Sequence, residues 1–116
     1  MWIFTLDGML SIVRHRDYED TFLVRSRSSE ILERIFPDYP IICLEDADYR
    51  YRIVIHHGNL LGHLIQEIMA ILEMGYTNFK DECQQIGNPE YLDALLGVWK
   101  EMYDYQSKRE SETRRS

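Results

Sequence analysis

The stretch Asp48-Tyr49-Arg50-Tyr51-Arg52-Ile53-Val54-Ile55 decides the fold. Side chains two apart on a strand share a face, so Tyr49, Tyr51, Ile53 and Ile55 line one side and Arg50, Arg52 and Val54 the other. One side is built for a core; the other presents guanidinium. The same Arg-x-Arg spacing occurs twice more, at Arg14-x-Arg16 and Arg25-x-Arg27. Each pair can place two guanidinium groups on one face, and neighbouring strands would combine them into an arginine-rich surface.

Upstream of this strand the chain reads as sheet. Trp2-Ile3-Phe4-Thr5 is aromatic and β-branched, Asp7-Gly8 is a two-residue hairpin signal, and Met9 to Arg14 gives a second strand. The polar run from Arg16 to Asp20 turns the chain into a third strand, Thr21 to Arg25, completing a meander. Ser28-Ser29-Glu30 then caps a helix with Ile31, Leu32, Ile35 and Phe36 on one face, ended by Pro37. Ile41 to Leu44 is a short strand or extended edge.

Downstream the pattern changes to helix. Leu60 to Leu72 is apolar over more than one stripe, as expected of a central helix packed on the sheet, and Gly75 stops it. Tyr76-Thr77-Asn78-Phe79 reads as a connector, with Asn78 capping a short helix from Lys80 to Ile86. Asn88 and Pro89 begin a last helix carrying Leu92, Leu95, Leu96, Trp99, Met102 and Tyr103 to about Gln106. These elements predict an α+β fold: an antiparallel-dominated sheet of four to five strands with helices packed on one face. Residues 1–106 form the single domain, and the charged 107–116 is expected to be a disordered tail.

The 116 residues carry a net charge of −7, which argues against non-specific binding to DNA or to an anionic membrane while leaving room for a local basic patch. No apolar run reaches the length of a membrane span and no signal-peptide pattern opens the chain, so a cytoplasmic protein is expected. Cys43 and Cys83 fit no metal or redox spacing and read as buried, reduced thiols. The unbalanced acid lies in the helical half, where Lys80 and Lys100 face eight acidic residues between Gly58 and Gln106. The first 57 residues hold seven arginines, ten acids and no lysine.

Arginine without lysine matters, because guanidinium binds phosphate or carboxylate in a bidentate fork and stacks on aromatic rings. Arg14, Arg16, Arg25, Arg27, Arg50 and Arg52, with Tyr49 and Tyr51, can therefore form a cradle for an anion. The competing reading is a salt-bridge ladder with Asp17, Asp20, Glu45, Asp46 and Asp48. Tyr76, Asn78 and Lys80 form a second candidate corner. His63 and Glu67 share a helical face at a spacing that can hold a metal, but two further ligands are missing, so no metal and no cofactor is expected. No serine or cysteine sits in a nucleophile motif and no phosphate-binding glycine loop is present, which argues against an enzyme.

Several stretches together, Met1-Trp2-Ile3-Phe4-Thr5 with Gly8 and Ser11-Ile12-Val13, His15-Arg16-Asp17, Leu23-Val24-Arg25-Ser26-Arg27, Ala47 to Arg52 and Tyr76 to Lys80, resemble a family of small uncharacterised bacterial proteins. That resemblance covers most of residues 1–100, carries no activity, and implies that the arginine pairs and the Tyr76–Lys80 segment belong to one pattern. The expected function is a non-enzymatic binding or regulatory protein holding an anionic ligand or protein partner on the arginine-rich face. The alternative is an acidic inhibitor or adaptor that imitates nucleic acid toward a basic enzyme.

Overall fold

Five strands, β1 (Trp2–Phe4), β2 (Met9–Arg14), β3 (Thr21–Ser26), β4 (Ile42–Cys43) and β5 (Tyr51–His56), pair antiparallel throughout in the order β1-β2-β3-β5-β4. This computed structural model describes residues 1–85 and 89–115, the side chains of Tyr76, Thr77, Arg114 and Arg115 excepted. The helices α1 (Ser29–Ile35), α2 (His57–Gln85) and α3 (Pro89–Arg115) complete an α+β fold with the helices on one face of the sheet.

Register explains the layering. Ile12 pairs with Val24 and Val24 with Ile53, so one cross-strand row of three strands is buried under the helices. Leu10, Ile55 and the α1 residues Ile31, Leu32 and Ile35 join it, and Phe36 closes it with no exposed surface. Each such side chain contributes about 1.5–3 kcal/mol as an upper value. Tyr51 lies half-buried on this same face, packed against the core. Ser28 caps α1 as its sequence indicates, its Oγ accepting from the Glu30 N–H at 3.3 Å.

The turn between β1 and β2 is tied from all sides. Thr5 is fully buried, and its N–H donates to the Gly8 carbonyl at 2.8 Å. The connection therefore spans Thr5 to Gly8, rather than the two-residue Asp7-Gly8 turn expected, and Gly8 does not take the positive φ such a turn needs. Arg34 of α1 donates to both Asp7 carboxylate oxygens at 2.8 Å and to Glu67 of α2 at 2.6 and 3.1 Å. From α3 the Tyr91 hydroxyl shares its one proton between the Thr5 and Gly8 carbonyls, while the Cys83 thiol reaches the Leu6 carbonyl at 3.5 Å. Burial, helped by the nearby Cys83 and Asp7, pushes the Tyr91 phenol well above its ordinary pKa.

The helical half departs from expectation in three places. Gly75 breaks α2 with φ +71° and ψ 169°, a conformation glycine takes without the Cβ penalty, and the helix resumes directly afterwards. Tyr76 to Phe79 is thus helical rather than a connector, and Asn78 is an exposed helix residue instead of a cap. The expected cap at Asn88 and the end at Ile86 lie outside the described residues, whereas Pro89 does occupy the first position of α3. Beyond Gln106, where the apolar spacing ends, α3 stays helical to Arg115 with residues 107–113 exposed. Cys83 is buried but Cys43 is exposed, because β4 is an edge strand two residues long. No helix is long and apolar enough to cross a membrane.

Candidate functional site

The sheet face turned away from the helices is read from the register. Trp2 pairs with Ser11, Ser11 with Arg25, Arg25 with Arg52, and Arg52 with Ile42, a single row crossing all five strands. Beside it runs the row Val13, Leu23 and Val54, half-buried although no helix covers it. Two arginines thus stand directly opposite each other on β3 and β5, between exposed Trp2 at one sheet edge and exposed Ile42 at the other.

Placing like charges opposite costs about 0.2–1 kcal/mol, and here no acid relieves it. Among the described residues no carboxylate lies within ion-pair distance of Arg25 or Arg52. One Nη of Arg25 donates to the Ser11 hydroxyl at 2.8 Å, and one Nη of Arg52 to the Tyr49 carbonyl at 2.9 Å. Both Nε–H groups are buried without a hydrogen-bond partner. An orphaned buried donor costs roughly 1–3 kcal/mol. Among the described residues the second Nη of each arginine makes no hydrogen bond, and both side chains are half-buried.

Tyr49 organises this cluster: it precedes β5, so the alternation does not hold it on the core side with Tyr51 as expected, and its ring lies among the arginines instead. The Arg25 guanidinium lies 4.7 Å and that of Arg27 4.4 Å from its ring centroid. Stacking holds the planar groups in place without cancelling their charge. Arg27 is otherwise satisfied, donating to both oxygens of Asp48 at 3.1 and 3.2 Å. Burial is the largest single influence on the Arg27 guanidinium and lowers its pKa, but the hydrogen bond and charge of Asp48, with Tyr49, together outweigh it and the pKa rises.

The remaining expected site residues divide. Arg50 is exposed and adjoins the cluster through the Tyr49–Arg52 segment, with no ion pair among the described residues. Arg14 falls on the helix side, since it lies an odd number of residues from Ser11; it lines a groove with Met1, Ile12, Phe22 and His57. Arg16 sits in the β2–β3 turn, loosely paired to Asp17 at 3.9 Å. Tyr51 belongs to the core face, and Asn78 and Lys80 to the helical layer, so none of these joins Arg25 and Arg52. The side chain of Tyr76 lies outside the described residues. The salt-bridge ladder is realised at Arg27–Asp48 and weakly at Arg16–Asp17, and stops there among the described residues.

Sequence reading missed Ser11, Trp2 and Ile42, which share the arginine row. A lone serine within Met9-Leu10-Ser11-Ile12-Val13 was the available signal, but its partner is set by register, not by spacing. His63 and Glu67, which share a helical face, have other partners: His63 packs on the rings of Phe36 and Tyr39, and Glu67 is taken by Arg34. Asp20, His56 and His57 offer ligand atoms within 4.8 Å of one another. All three are exposed, Asp20 in the β2–β3 turn, His56 at the end of β5 and His57 at the start of α2, where the helix dipole disfavours a cation.

Searches of protein-family models, of curated proteins and of solved structures each find no match to the chain. The functional reading rests on the geometry alone.

Proposed function

We propose that this is a non-enzymatic binding protein that seats an anionic group of its ligand or partner between Arg25 and Arg52 on the helix-free sheet face. The observation that carries the reading is the unneutralised arginine pair at opposed cross-strand positions. A chain with twenty acidic residues leaves these two guanidinium groups without a carboxylate, while giving Arg34 two. Two forks facing one another offer more donors than one carboxylate can accept, so a phosphate oxyanion suits them better. The apolar row Val13, Leu23 and Val54, with Trp2 and Ile42 at the edges, supports a ligand that joins the anion to an apolar surface.

Calorimetric titration with inorganic phosphate, and separately with acetate at matched ionic strength, tests this. The wild type binds phosphate saturably and more tightly than acetate, and Arg25→Gln/Arg52→Gln loses that binding at an unchanged fold. Equal heats in the two proteins would refute the site.

A further inference from the structure

The helical layer is unfinished. On α2, Leu60 and Leu64 enter the core, but Leu61, Ile65, Ile68 and Leu72 form a second stripe at helical spacing that faces solvent. These four are 45–67% exposed. On α3, Leu92 is buried, and Leu96, Trp99, Met102 and Tyr103 continue its stripe outward, 40–66% exposed. Soluble monomers rarely expose contiguous apolar patches beyond a few hundred Å². Together these side chains expose on the order of 1,000 Å² per chain, which reaches the roughly 800 Å² per partner of a standard interface.

The two stripes do not satisfy each other within one chain. α2 and α3 approach near the end of α2, where Phe79, Leu92, Leu95, Leu96 and Trp99 line a shared cavity. Past this point α3 leaves the body, consistent with a longest molecular dimension of 50 Å. Among the described residues the distal stripe of α3, Trp99, Met102 and Tyr103, is exposed, and an isolated helix shorter than about 12–15 residues is marginal in water. The charge pattern fits a like partner. Residues 58–79 hold no Lys or Arg and two acids, Glu67, which Arg34 binds, and the exposed Glu73, while residues 107–116 carry four basic residues against two acidic.

We propose that a second copy of this chain covers both stripes, as a symmetric dimer in which α3 of each copy lies along the exposed face of α2 of the other. Each chain brings one apolar helix to donate and one to receive, so a two-fold operation satisfies both and closes the assembly. The basic end of α3 then meets an α2 face of the partner copy that carries Glu73 and no basic residue. This interface is on the opposite side of the sheet from Arg25 and Arg52 and leaves them open.

Sedimentation equilibrium of the full chain between about 10 and 100 µM tests the dimer, with mixing of two variants to test its arrangement. The wild type sediments at twice its 13.9 kDa. Ile65→Glu/Leu72→Glu, which spoils α2, and Trp99→Glu/Met102→Glu, which spoils α3, each sediment as monomers with the sheet core intact by thermal melting. Mixed together they recover a one-to-one heterodimer, because one α3–α2 interface is then wild type on both sides. A monomeric wild type overturns the proposal outright. Full dimerisation of either variant alone overturns the exchange of α3 onto α2, since it points to α3–α3 or α2–α2 pairing. Failure of the mixture to associate also contradicts it.

Discussion

Arg34 and the pair Arg25–Arg52 bring the same chemical group to two sides of one sheet, into opposite surroundings. Arg34 stands between α1, the β1–β2 turn and α2, with four hydrogen bonds to two carboxylates. Arg25 and Arg52 stand against each other with no carboxylate and with buried Nε–H groups left unbonded. The difference separates an arginine that assembles a fold from arginines that the fold leaves available. Arginine content alone does not make that separation; the acid opposite each guanidinium does.

The largest expected effect lies on the paired side. Arg34→Met removes the links between Asp7 and Glu67 and is expected to lower stability by about 1–2 kcal/mol in urea unfolding, after allowing for partial solvent exposure. No loss would place Arg34 with the unpaired arginines and erase the contrast. A smaller effect appears in acid. Burial raises the Asp7 pKa, but hydrogen bonds and charge from Arg34, with help from Thr5, outweigh it and hold the carboxyl below its ordinary value. A carboxylate depressed in the folded state stabilises the fold above its unfolded pKa of about 3.9, and that contribution is lost as pH falls through the folded value. Wild type should therefore lose stability more steeply than Asp7→Asn as pH falls below about 4, the two curves converging in acid. Parallel curves would show that Asp7 is not tuned by Arg34.

The smallest effect falls on the open face. Arg25→Gln/Arg52→Gln relieves opposed like charges and is expected to change stability by less than about 0.5 kcal/mol, or to raise it slightly at low salt. A loss above about 2 kcal/mol would make these arginines structural, through Ser11 and the Tyr49 carbonyl.

The first half of the fold was legible where a local rule decides it. Alternation placed Ile53 and Ile55 inward and Arg52 outward, and Ser28 announced α1. The site was half legible. Arg25 and Arg52 share a face as their spacing suggested, but Arg14 turns to the helix side because β2 ends there with the opposite parity. Pairing with acid was not legible: Asp48 reaches Arg27, while Glu45 and Asp46 lie equally near in sequence and form no ion pair among the described residues. The helical half was least legible, since Gly75 signals a break without saying that helix resumes at once. An apolar stripe likewise reads the same whether its own chain or another copy covers it.

Arg25 and Arg52 themselves give the most direct test of an anion site. Their buried Nε–H groups should be protected enough to follow by proton–nitrogen NMR during a phosphate titration at constant ionic strength. Saturable shifts of the Arg25 and Arg52 Nε–H resonances, with those of Arg34 unmoved, are the result expected. Shifts shared equally by all three, or reproduced by chloride, would contradict a built anion site.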